Sequence, residues 1–163
     1  MNKYLLPPVF IFLKFVFVQS LSFPWPVFEP VLCLALIYTF FHSLDLKGWL
    51  LYALYCGLSR DVFSLDVFGF YIFSCVLSCF VVSILTRIVY RQNWVFVFPV
   101  VFIGIFLAGH FVIFFKTFFV SETIWISQYW LALARVIFES AGTALLAFPI
   151  YIFSKRCAPE LIG

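Results

Sequence analysis

The stretch that decides the fold reads GLSRDVFSLDVFG, from Gly57 to Gly69. Arg60, Asp61 and Asp66 fall within seven residues, while apolar, helix-like sequence runs into the stretch from Leu50 and out of it from Phe70. Such charges have two readings. Either they build a contact or ligand site, as ionisable groups at membrane depth often do, or they form a polar loop that turns the chain. Both readings require membrane helices on either side.

Composition supplies that requirement. The 163 residues are 66% hydrophobic and 10% charged, and 25 of them are Phe. Soluble domains run at about 45–50% apolar and about 25% charged. A water-soluble fold of this size has no room to hide so much apolar surface, so the solvent is lipid. A barrel would alternate polar and apolar residues along its strands, whereas this chain has long unbroken apolar runs. Backbone groups in lipid must then be satisfied inside helices. The expected fold class is an all-α, polytopic transmembrane bundle, with residues 1–163 as a single integral membrane domain.

A net charge of +3 with no basic run argues against a nucleic-acid partner and leaves the lipid bilayer as the surroundings. The five cysteines form no CxxC pair; Cys75 and Cys79 share a helix face and read as small packing residues. No metal or cofactor is expected.

Upstream, residues 4–21 form a first apolar run. Lys14 interrupts it and no small-residue cleavage pattern follows, so it reads as a retained helix rather than a leader. SFPWPVFEP, residues 22–30, has three prolines within seven residues and breaks the helix; Phe23 and Trp25 suit a membrane boundary. Pro30 opens the second run, which ends near Phe41. His42 to Gly48 is a polar break before a third run, Trp49 to Leu58. These two runs are short: about 12 residues rise about 18 Å, against a hydrocarbon core of about 30 Å. They either extend into their flanks or form a re-entrant or tilted hairpin over residues 30–59.

Downstream, a fourth run spans Phe70 to Ile88 and a fifth Trp94 to Phe115. A connector over 116–128 carries Lys116 and Glu122, and a sixth run spans Tyr129 to Phe153. About six segments are expected. Lys3, Lys47, Arg87, Arg91, Lys155 and Arg156 lie on one side of this arrangement, against Arg60 and Lys116 on the other. Six basic residues against two place both termini in the cytoplasm. Lys14, Glu29, Asp61, Asp66, His110, Arg135 and Glu139 then all fall towards the outer half of the membrane.

Arg135 and Glu139 are four residues apart on one helix face and are placed to pair. They serve either a partner or ligand contact, or an internal bridge that fixes packing. His110 reads as a hydrogen-bonded packing histidine, with a proton carrier as the rival. Ser140 to Ala144 thin the sixth run and make a close-packing face, whether towards the bundle or a partner. No HExxH, GxSxG or phosphate-binding glycine loop is present, and nothing converges on Asp61 and Asp66 to make catalytic carboxylates of them. The expectation is no enzyme and no catalytic residues.

GLSRDVFSLDVFGFYIF resembles the signature of the MreD family of rod shape-determining membrane proteins, in which a Gly-Leu pair precedes an Asp and a Gly precedes the next helix. The matching positions are Gly57, Leu58, Asp61 and Gly69. ALLAFPIYIFSKR resembles the family's last helix and basic tail. Arg60 stands where the family usually has an apolar residue, and Arg135 and Glu139 add charge to the last helix. The resemblance covers most of the chain in pattern and about 13 residues in motif.

It implies a non-enzymatic scaffold of the bacterial elongation machinery, the elongasome, in the inner membrane. Such a scaffold binds the bitopic protein MreC and helps couple MreB filaments to the peptidoglycan synthases, and so to cell shape. It also implies a fold similar to the substrate-binding subunits of energy-coupling-factor vitamin transporters. Those subunits supply the rival function, substrate capture for a transporter. They usually carry an Ala-x-x-x-Ala face on the first helix, and LLPPVFIFLKFVFVQS contains no alanine. The residues expected to make structural or partner contacts are Gly57, Arg60, Asp61, Asp66, Gly69, Arg135 and Glu139.

Overall fold

Pro30 fixes a helical φ where an amide proton has no partner anyway, and from it the chain winds into a 12-residue helix, α1 (Pro30–Phe41). Four more helices follow in this computed structural model, which describes residues 30–42, 44–64, 68–88, 94–119 and 126–157. They are α2 (Leu46–Phe63), α3 (Phe70–Ile88), α4 (Val97–Phe119, entered through a 3-10 turn at Trp94–Phe96) and α5 (Ile126–Cys157). The described residues contain no strand. Asp45 starts α2 as its N-cap, accepting from the Gly48 amide at 3.1 Å.

α1 is the centre of the bundle. All ten residues from Val31 to Phe40 are buried, and α1 packs against each of the other four helices. Around it α2, α3, α4 and α5 stand in chain order, each against the next. Tyr38 of α1 stacks on Tyr52 of α2, with ring centroids 4.5 Å apart, and Phe41 stacks on Tyr151 of α5 at 5.7 Å. Ser74 of α3 donates to the carbonyl of Ala108 in α4.

The outer helices turn large apolar side chains outward, among them Leu54, Phe73, Phe80, Phe114, Phe138 and Leu145. Such a surface is stable only in lipid. Among the described residues, three stretches are long and apolar enough to cross a membrane: Phe70–Arg87, Val97–Phe118 and Tyr129–Phe153. The chain is a helical, membrane-embedded protein.

Several expected boundaries move. Among the described residues there are five helices rather than six, and the first apolar run, 4–21, lies outside them. The third run extends in both directions, to Leu46 and Phe63, so Arg60 and Asp61 sit on the last turn of α2 and not in a loop. α1 does not extend; at about 18 Å it is a buried core helix rather than a full span. α5 runs past both expected ends and continues through Pro149, whose ring faces outward.

Candidate functional site

The site grows out of the α2–α3 turn. Gly57 lies where α2 meets the first turn of α3, so close that a Cβ there would overlap the Cα of Ile72. Any larger residue would push the helices apart. One helical turn further on, the same face of α2 presents Asp61, which is only 4% exposed. Its Oδ1 accepts from the Tyr71 amide at 3.2 Å and its Oδ2 from the Ile72 amide at 3.1 Å.

Those amides belong to the first turn of α3, where backbone donors have no partner within the helix. Side-chain capping from the residue just before α3 is impossible, because that residue is Gly69. Its φ of +102° is a left-handed conformation that L side chains rarely adopt. Asp61 therefore does from α2 what a Ser or Asp at the cap would do locally. Its negative charge also suits the positive end of the α3 dipole. Gly57 brings the helices together, Gly69 bends the chain, and Asp61 satisfies the amides that the bend exposes. Ser64 closes α2, its amide donating to the Arg60 carbonyl at 2.9 Å.

Arg60 points the other way. Its guanidinium carbon lies 4.7 Å from the centroid of the Tyr71 ring, and Nη2 lies 3.5 Å from Oε1 of Glu139 in α5. The two charged side chains are 17% and 14% exposed. The outer helices form an open ring in chain order, and this ion pair links its two ends, α2 and α5. Tyr71 joins both halves of the site, since its amide donates to Asp61 while its ring lies under Arg60.

The pairing expected between Arg135 and Glu139 is not formed. Glu139 is turned inward to Arg60, whereas Arg135 is exposed on the outside of α5. Four-residue spacing makes a pair available, but a cation held on a facing helix wins because both partners leave lipid together. Asp66 lies outside the described residues. The site thus gathers Gly57, Arg60, Asp61, Gly69 and Glu139, and leaves Arg135 apart.

The remaining candidates are packing residues. His110 stacks on Phe106 at 5.7 Å and meets the Tyr129 ring edge-on at 6.4 Å. Its Nδ1 is buried and makes no hydrogen bond, contrary to the expected hydrogen-bonded histidine. Ser140, Thr143 and Ala144 are buried, so these three small residues of α5 face its own bundle, while Ala141 and Gly142 are half-buried. Cys56, Cys75 and Cys79 are buried, with the Cys56 and Cys75 sulfurs 3.5 Å apart. No cluster of three or more metal-ligating side chains occurs among the described residues.

Two features went unread in the sequence. Tyr71 gave no signal beyond being an aromatic at the start of an apolar run. Tyr38 donates to Asp45 Oδ2 at 2.6 Å, locking the α1–α2 turn over a glycine, Gly48, that has no room for a side chain. An Asp in the polar break, four residues before the apolar run, was the available clue to that cap.

No family model, curated protein or solved structure matches this chain. The class defined by fold and composition is therefore a helical membrane protein whose charged residues are used to join helices.

Proposed function

We propose that this chain is a non-enzymatic membrane scaffold of the MreD type, holding a bitopic MreC-like partner and helping couple MreB filaments to the wall synthases. The observation that carries the proposal is the Asp61 cap. Three of the four motif positions on which the family resemblance rests, Gly57, Asp61 and Gly69, act together to fix how α2 meets α3. A protein that works by presenting a fixed surface needs such joints more than it needs a cavity.

In this proposal residues 4–21 add a sixth segment and the bundle is of the energy-coupling-factor subunit type. The membrane is the bacterial inner membrane, and both termini are cytoplasmic, on the basic-residue bias. The rival transport reading asks for a ligand cavity with convergent polar groups. Asp61 is engaged with backbone amides and Arg60 with Glu139, so these charges serve the helix joints. The groove beside them, about 220 Å³ between α2 and α3, is lined by Leu51, Leu54, Tyr55, Leu58 and Ile72 and is almost wholly apolar.

Depletion in a rod-shaped host tests the proposal. Cells should round up and swell, and Asp61→Ala should reproduce part of that change while the protein stays in the membrane. Normal rods after clean depletion, with loss of uptake of one vitamin, would make the transport reading the right one.

A further inference from the structure

Arg135 lies six residues beyond Tyr129, where the last apolar span begins, and hence about 9 Å inside it. It is exposed, and its neighbours one turn to either side, Leu131 and Phe138, are 75% and 73% exposed. The cation is therefore set in an outward apolar face. An unpaired charge in hydrocarbon costs several kcal/mol.

The chain itself supplies no counter-charge among the described residues. Glu139 is committed to Arg60, and Asp61 to the α3 amides. Asp45 lies at the opposite end of the bundle, in the α1–α2 turn. The described residues of a second copy have the same shortage. The face is also thinner than its neighbours: Ala134 is exposed and Gly142 half-buried on it. The outward faces of α3 and α4 instead carry Phe73, Phe80, Phe98 and Phe114. Small residues let a second helix approach closely in lipid.

We infer that the outward face of α5, formed by Leu131, Ala134, Arg135, Phe138, Gly142 and Leu145, docks a partner's transmembrane helix that carries a carboxylate about a third of the way into the bilayer. The carboxylate binds the planar guanidinium through two parallel hydrogen bonds, and the apolar residues pack along the partner helix. This inference rests on the scaffold proposal for the existence of a membrane partner and names the surface and chemistry by which it is held. The other anion in reach is a phospholipid phosphate, because helical side chains lean towards the N-terminal end of their helix.

The test uses the full chain in phosphatidylcholine vesicles with a fluorescent Leu/Ala-rich transmembrane peptide of about 22 residues. One version carries a Glu about 9 Å from the end that meets Tyr129, and the other a Gln at the same place. Energy transfer should show the Glu peptide associating about tenfold more tightly than the Gln peptide, and Arg135→Leu should erase the difference. Equal affinity of the two peptides for the native chain overturns the inference, even if Arg135→Leu fails to fold. So does a response of Arg135 to added phosphatidylglycerol alone, which would assign the cation to lipid phosphate. A clear peptide preference combined with normal cell shape on depletion would reject the scaffold proposal and leave the docking face standing.

Discussion

Asp61 holds Ile72 by its backbone: the carboxylate of α2 accepts the Ile72 amide at 3.1 Å, while Gly57, one turn earlier, rests against the Ile72 Cα. One residue of α3 is thus fixed from two successive turns of α2. The carboxylate and the glycine do different jobs in this joint, which makes its parts separable by substitution.

Asp61→Ala strands two amides in a buried place. Each such loss costs about 1–3 kcal/mol, so thermal unfolding in detergent should shift clearly downward. Asp61→Asn keeps one acceptor oxygen and should fall between the native chain and the alanine variant. An alanine variant as stable as the native chain would mean that the amides have another acceptor.

The two glycines should fail for different reasons. Gly57→Ala overpacks the α2–α3 contact, at about 1–3 kcal/mol. Around Gly69 a Cβ would meet nothing within 4 Å, so the cost there is conformational alone. Gly69→Asn should be better tolerated than Gly69→Val, since Asn enters left-handed conformations more readily. At position 57 both Asn and Val should be poorly tolerated. Parallel melting curves of the five variants decide it.

Arg60→Leu and Glu139→Leu should each lower membrane levels, because a half-broken desolvated pair costs about 3–5 kcal/mol. The double change should recover much of the loss. Arg135→Leu, combined with Glu139→Leu, should show no coupling. Coupling between 135 and 139 in such a cycle would contradict the observed pairing.

Orientation can be read by labelling in a background stripped of the native cysteines. Lys47, at the start of α2, and Phe68, in the turn before α3, are both exposed and lie at opposite ends of the bundle. A cysteine at Lys47 should label from the cytoplasm and one at Phe68 from outside; the reverse pattern would invert the proposed topology.

Class and several helix limits were legible in the sequence, and partnership was not. The apolar runs, the Pro30 start and the α3 limits at Phe70 and Ile88 follow from local pattern. Arg60 and Asp61 read as a loop because their charge is local while its compensation is not: the amides come from α3 and the carboxylate from α5. Likewise the spacing of Arg135 and Glu139 could not reveal a competing cation 79 residues away in sequence. Nor could composition single out α1 as the core, since lipid-facing and protein-facing helices are equally apolar in a membrane.

The enclosure of α1 bears on how the protein is made. A 12-residue segment is too short to be held across a bilayer on its own. Its place is set by helices that leave the ribosome after it, and the last of these, α5, brings Tyr151 to Phe41 more than a hundred residues later. Until then the flank of the central helix that meets α5 lacks that neighbour. Assembly of this core is therefore completed by α5, the last of the five described helices to be synthesised, and chains stopped before α5 should be cleared as incomplete rather than persist as smaller bundles.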